Sequence, residues 1–272
     1  MSPERPSSAA LHAAVRDVVA DAAGRAIMPR FGQLTHGEVR EKSAGELVTM
    51  ADRESELILA EGLARIIPEA TIVGEEAADA DPSVLRGLSD DLCWIIDPLD
   101  GTANFAAGKG PFGMLVALAE RGLAIGGWIF DPRSNRFCSA LRGEGTMIDG
   151  ELVRSRSSGE SIPNVAISSL FSSSERRTDV ISRMTPHFRT VPIPRCAAEQ
   201  YPRVLLGVND VTLFERTLPW DHAAGALCLT EAGGVVTRFD GSQYRVDDDR
   251  RGLIAAANPA LWEMAFQHLC GD

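Results

Sequence analysis

Apolar residues recur at helical spacing from about Ala9 to Phe31, at Leu11, Val15, Val18, Val19, Ala22, Ile27 and Met28, and Gly32 follows where such a helix should stop. A second helix is predicted over 51–67, with Leu57, Ile58, Leu63, Ile66 and Ile67 apolar and Pro68 ending it. Thr71–Gly74 is a short β-type run. The acidic stretch from Ala77 to Asp91, interrupted by Pro82 and Gly87, predicts a solvated loop. Leu92–Ile96 is a continuous apolar strand that runs straight into Asp97. A Gly-rich loop (Gly101–Gly113), a strand (Met114–Glu120), a turn at Arg121-Gly122, a strand (Ala124–Phe130) and a strand-and-turn segment (Phe137–Met147) follow, which predicts an antiparallel sheet.

Beyond that point strands and helices alternate. Strands are predicted at Val165–Ser168, Thr190–Ile193, Val211–Phe214, Val235–Thr237 and Leu253–Ala257. Helices are predicted at Ser174–Met184, Ala197–Leu206, Asp221–Ala232 and Ala260–Leu269. This alternation predicts an α/β layer. The polar stretch Ser155–Pro163 marks the boundary between an N-terminal α+β half over 1–153 and a C-terminal α/β half over 154–272.

At 272 residues, with 44% hydrophobic and 24% charged residues, the chain can bury a sizeable core, which excludes disorder and a disulfide scaffold. The net charge of −11 offers no electrostatic footprint for a phosphate backbone, so a nucleic-acid partner is not expected. No apolar run reaches the roughly 18 residues of a membrane span, and Met1–Ala10 carries no signal-peptide core. Cys93, Cys138, Cys196, Cys228 and Cys270 are odd in number and scattered, so they read as reduced and the expected compartment is the cytoplasm.

The chemistry concentrates in Asp97-Pro98-Leu99-Asp100-Gly101-Thr102. Two aspartates at the C-terminal edge of a buried strand lie where open α/β sheets bind ligands. Pro98 stiffens the turn, the Leu99 carbonyl can point with the carboxylates, and Gly101 and Thr102 can present N–H groups to an anion. Glu75-Glu76, Asp221 and Asp52 are further acids at the ends of predicted elements. Glu75, Asp97, Asp100 and Asp221 make a hard oxygen set with no competing Cys or His cluster, which suits Mg²⁺, with Mn²⁺ as the alternative. Each also has a plainer reading: Asp97 as a turn cap, Asp52 and Asp221 as helix caps, Glu75-Glu76 as a solvated turn. His222 reads as structural or substrate-facing rather than as a ligand.

These segments resemble the signatures of the inositol monophosphatase family of Mg²⁺-dependent phosphatases. The resemblance spans most of the chain: Asp97–Thr102 with Asn104-Phe105; Gly74-Glu75-Glu76; Trp220-Asp221 with Thr230-Glu231-Ala232-Gly233-Gly234; and Lys42 with Leu47–Asp52. It implies an αβαβα sandwich, usually a homodimer, acting on a small phosphate ester. It implies that Glu75, Asp97 and the Leu99 carbonyl hold one metal, and Asp97, Asp100 and Asp221 a second. A third metal near Glu75 and Glu76 would add Glu76 to the catalytic group. Thr102, backed by Asp52, would position the attacking water, and the Gly101 and Thr102 N–H groups would bind phosphate oxygens.

The specificity segment departs from the family. Arg195-Cys196-Ala197-Ala198-Glu199-Gln200-Tyr201 carries Ala198 where a glycine is usual and Glu199 where a small or hydroxyl residue is usual. Glu215 precedes Asp221 with a spacing shifted by one. Glu199 is expected to face the leaving group, with Arg195, Ala198 and Glu215 as further substrate contacts. Histidinol-phosphate phosphatase, 3′-phosphoadenosine 5′-phosphate nucleotidase, fructose-1,6-bisphosphatase and a non-catalytic metal- or phosphate-binding regulator remain as alternatives.

Overall fold

The structure, a computed structural model, describes residues 6–34, 39–43, 46–169 and 172–271. Residues 1–5 and the side chain of Lys42 lie outside the described residues. The helices are α1 (Ser8–Ala22), α2 (Met50–Ile66), α3 (Glu75–Ala80), α4 (Thr102–Ala106), α5 (Ser174–Met184), α6 (Ala197–Leu205), α7 (Pro219–Glu231) and α8 (Pro259–Cys270). In the first half the strands are β1 (Val39–Ser43), β2 (Glu46–Thr49), β3 (Thr71–Gly74), β4 (Cys93–Asp100), β5 (Gly113–Glu120), β6 (Leu123–Asp131), β7 (Arg136–Leu141), β8 (Gly145–Ile148) and β9 (Glu151–Val153). Those of the second half are β10 (Asn164–Ser168), β11 (Arg189–Val191), β12 (Val211–Phe214), β13 (Val235–Arg238) and β14 (Leu253–Ala256).

Successive strand side chains point to opposite faces, and that alternation builds the layers. On β4, Trp94 and Ile96 join α1 and α2 in one core, while Cys93 and Ile95 face a second core shared with α6 and α7. On β5, Met114, Val116 and Leu118 take the first side and Leu115, Ala117 and Ala119 the second. On β14, Leu253 and Ala255 face α6 and α7, while Ile254 and Ala256 pack with α5 and α8 in a third core. The result is an αβαβα sandwich in which both sheets are covered on both faces. This is why so many strands read as unbroken apolar runs.

The seven-stranded sheet runs β3-β4-β5-β6-β7-β8-β9 and is antiparallel except at β3-β4, which pair in parallel. The five-stranded sheet runs β11-β10-β12-β14-β13 and is mixed: β10 is parallel to β11 and β12, and β14 is antiparallel to β12 and β13. Among the described residues no helix is long and apolar enough to cross a membrane. Four cysteines are buried and Cys270 is exposed, all of them free.

Two expectations are corrected. The first helix stops at Ala22 and continues as a π turn (Ala23–Ile27) and a 3₁₀ turn (Met28–Arg30), where Pro29 brings no N–H to a longer helix. The stretch 77–91 is not a solvated loop. It holds the end of α3 and a 3₁₀ helix, Pro82–Ser89, started by Asp81 accepting from the Ser83 N–H. Ala78 and Leu88 are buried against β3 and β4, which is what orders it. The antiparallel hairpin β1-β2 adds an element that the apolar pattern does not signal.

Candidate active site

Parallel pairing of β3 with β4 aligns Gly74 with Ile96, so the next residues on each, Glu75 at the start of α3 and Asp97 within β4, emerge side by side. The ladder between β4 and β5 then slips. Asp97 pairs with Leu115 but Asp100 with Gly113, so three steps on β4 match two on β5. This bulge falls at Pro98, which has no N–H to lose, and it turns both carboxylates toward one end of the sheet. The Leu99 N–H donates to Asp97 Oδ1 at 3.0 Å. Gly101 closes the turn at φ 85°, where a side chain would meet the Pro111 carbonyl at 2.9 Å.

Asp221 arrives from the first turn of α7, which faces β4 across the middle layer, and Asp97 and Asp221 are close enough to share a hydrogen bond. Glu75, Asp97, Leu99, Asp100, Gly101, Thr102, Arg195 and Asp221 all line one cleft of about 160 Å³. Ser168, Phe214, Arg216, Gln200 and His222 line it from the C-terminal half.

Asp52 combines two duties. It is the third residue of α2, where its Oδ2 accepts from the Thr49 N–H at 2.7 Å and hydroxyl at 2.6 Å in a capping box. Its Oδ1 lies 3.0 Å from the Thr102 hydroxyl, which also stands 2.9 Å from the Leu99 carbonyl oxygen. The cap reading and the site reading of Asp52 are therefore both true.

Burial raises the pKa of Asp52, Asp97, Asp100 and Asp221. Asp97 is raised well above the usual carboxylate range by burial and then by the charges of Glu75, Asp100, Asp221 and Asp52. Asp221 rises to about 7 and Asp100 to about 6, in each case mainly through burial, with the Arg216 charge pulling Asp221 back. Asp52 rises to about 6, again through burial. Like charges held this close out of water call for an opposing charge. As they stand, no three His, Cys, Asp or Glu side chains among the described residues are close enough to ligate one metal ion. The acids share a cleft rather than a finished coordination shell.

The donor chemistry fits a hard cation. Every acid lining the cleft offers oxygen, and the softer groups beside them are engaged elsewhere. His222 lies between the Tyr201 hydroxyl at Nδ1 and the Arg216 carbonyl at Nε2, both at 3.0 Å, and burial lowers its pKa to about 3. The Cys196 thiol is raised well above its ordinary pKa by burial and stays protonated. An oxygen-only set selects Mg²⁺ or Mn²⁺ over Zn²⁺.

The specificity expectations fare differently. Glu199 does not line the cleft. Its carboxylate pairs with Arg136 at 2.7 Å and Arg203 at 2.9 Å, so the expectation that it faces the leaving group is corrected: two guanidinium groups draw it away. Glu215 likewise turns to Arg176 at 3.2 Å. Ala198 is buried outside the lining and acts through its N–H, which donates to Asp100 Oδ2 at 2.6 Å. Glu76 is outside the lining too, and its charge reaches the site by raising the Asp52 pKa. The Gly101 N–H faces the Asp100 carboxylate. Arg195 does line the cleft, held at a left-handed φ of 56°. Replacing Glu199 by Ala is expected to cost about 1 kcal/mol of stability through the lost, partly screened ion pairs while leaving kcat/KM within about threefold. Denaturant melts with parallel kinetics read both.

Over residues 10–271 the chain matches the inositol monophosphatase family. The chain belongs to that family. It is 30% identical over 256 residues to the Nus factor SuhB of Escherichia coli K12, covering 92% of each chain. A fructose-1,6-bisphosphatase/inositol-1-monophosphatase of Aquifex aeolicus is 28% identical, with 93% of each covered. Among solved structures, an IMPase of Thermotoga maritima superposes with a TM-score of 0.76 at 26% identity, covering 95% of this chain and 94% of that one. The inositol monophosphatase fold thus accounts for the sandwich. Three residues of this family member, Glu56, Gln200 and Arg216, escape notice in its sequence. Glu56 is buried and accepts from the Glu76 and Ala77 N–H groups at 2.8 Å each, fixing the start of α3. Its signal was its position one turn after Asp52, with Gly74 opposite, where a side chain would meet Glu56 at 2.4 Å. Gln200 and Arg216 had no signal beyond lying next to motif residues.

Proposed function

We propose that this chain is a Mg²⁺-dependent phosphomonoesterase acting on a small phosphorylated polyol or sugar. The observation that carries the reading is that four acids from three separate elements, Glu75 of α3, Asp97 and Asp100 of β4 and Asp221 of α7, line one cleft beside the Gly101-Thr102 turn. Glu75, Asp97, the Leu99 carbonyl, Asp100 and Asp221 would hold Mg²⁺, which supplies charge neutralisation for the phosphoryl group and acidifies water.

The chain's own groups do the rest. The Thr102 hydroxyl, anchored between Asp52 Oδ1 and the Leu99 carbonyl, orients the attacking water. A proton leaving that water passes to Thr102 Oγ1 as the hydroxyl proton moves to Asp52 Oδ1. With a pKa of about 6, Asp52 is tuned to accept it near neutral pH. The Thr102 N–H would take a non-bridging phosphate oxygen, while the Gly101 N–H is given to the Asp100 carboxylate. Arg195 and Arg216 add positive charge to the lining of the cleft, Arg216 within electrostatic reach of Asp221.

Release of phosphate from a panel of phosphorylated metabolites, with and without millimolar Mg²⁺, tests this reading; release that ignores Mg²⁺ contradicts it. Thr102→Val, which keeps the shape and removes the hydroxyl, is expected to lower kcat by about 10²-fold with KM little changed, the scale of losing a positioned proton-transfer group. Steady-state kinetics on the best substrate of the panel checks this. The name of the Escherichia coli relative favours a second reading, a regulatory protein that uses the cleft without turnover. An absence of hydrolysis across the panel would support it.

A further inference from the structure

Glu199 faces away from the cleft, and the next residue faces into it. One step along a helix rotates a side chain by about 100°, so on α6 the residue after Glu199 points to the middle of the molecule. Gln200 is 2% exposed and lines the cleft together with Ser168, Phe214 and Arg216. Its Nε2 donates to the hydroxyl of Thr212 on β12 at 2.7 Å, and Thr212 is itself fully buried. Its Oε1 has no hydrogen-bond partner.

A buried amide with one end clamped and the other unmatched costs free energy unless something pairs with it. The clamp matters: Thr212 fixes the amide plane, so the free end has one direction to offer. Whichever end Thr212 takes, a hydroxyl complements the other, because a hydroxyl both donates and accepts.

We propose that Gln200 is a specificity residue, pairing through its free amide end with a hydroxyl on the leaving alcohol. The preferred substrates are then phosphate monoesters of polyols rather than of plain alcohols of the same shape. This rests on the phosphatase reading above. It moves specificity from the carboxylate of Glu199 to the neutral amide beside it, which adds no further negative charge to an already acidic cleft.

Two substrates of equal ring size isolate the hydroxyl: inositol 1-phosphate and cyclohexyl phosphate. The wild-type ratio of their kcat/KM values is expected to exceed one by a wide margin. Gln200→Leu, similar in volume, should lower that ratio by about tenfold or more, because a site built to bond a hydroxyl discriminates strongly against its absence. Thr212→Val, which frees the amide without changing core volume, should lower the ratio by a smaller factor, and it carries the test if Gln200→Leu does not fold. A wild-type ratio near one, or a ratio unmoved by these variants, overturns the proposal while leaving the phosphatase reading intact. Wild-type protein that releases phosphate from neither compound, nor from any other ester, defeats both.

Discussion

Asp97→Asn is expected to lower Mg²⁺-dependent phosphate release by about 10³-fold or more, the scale of removing one central electrostatic stabiliser. Asp97 is buried, and the charges of Glu75, Asp100, Asp221 and Asp52 all act on it. Asparagine keeps its shape and an Oδ1 that can still accept the Leu99 N–H, so the turn should persist. It removes a charge that burial and four neighbouring acids oppose. The metal-free variant should therefore melt at or above the wild-type temperature. Calorimetric melts alongside phosphate release give both numbers. Loss of activity accompanied by loss of fold would contradict the claim that Asp97 serves chemistry at the expense of stability.

The same charges set the pH dependence. An acid whose folded pKa is raised holds its proton more tightly when folded, so the stability it contributes is present below the unfolded pKa and is lost as pH rises through the folded value. Asp52 and Asp100, at about 6, Asp221, at about 7, and Asp97, higher than its ordinary value, all act in this direction between the ordinary aspartate value of 3.8 and neutrality. His222 opposes them: lowered to about 3, it favours the folded state as pH rises toward 6.5, and His12 and His268, also lowered, act with it, but the four buried acids outweigh them. Metal-free protein is thus expected to lose stability as pH rises from about 4 to about 7. Mg²⁺ held as proposed would bind the ionised form of these acids, so the melting temperature it adds should grow over the same range, reaching about 5 °C or more near neutrality at saturating metal. Melting curves with chelator and with millimolar Mg²⁺ check this. A Mg²⁺ shift no larger at neutral than at acid pH would contradict it.

Much of this was readable from residues alone, for identifiable reasons. Fully covered sheets make their strands continuous apolar runs, so β4, β5, β12 and β14 announce themselves, and α5 and β12 have the predicted bounds. The acids of the site sit at ends of elements, where apolar patterning stops and an unexplained carboxylate stands out. The hairpin β1-β2 has no such contrast, with Arg40, Glu41 and Lys42 in five residues of β1. The order in 77–91 comes from two buried side chains, Ala78 and Leu88, that a charge-dominated stretch conceals. The orientation of Glu199 was hidden because its partners are distant or on its own helix: Arg136 lies 63 positions away on β7, and Arg203 one turn on. An unsatisfied amide such as Gln200 becomes visible only when the atoms around it can be counted.

The claim on which the proposed chemistry stands is that these separated acids jointly hold divalent metal. Crystals grown with Mn²⁺, which the same oxygen set accepts, allow a direct reading by anomalous scattering. Anomalous density among Asp97, Asp100 and Asp221, extending toward Glu75 and lost in Asp97→Asn, is the expected result. Density found only on the outer surface, with this cleft holding none at saturating Mn²⁺, would contradict it.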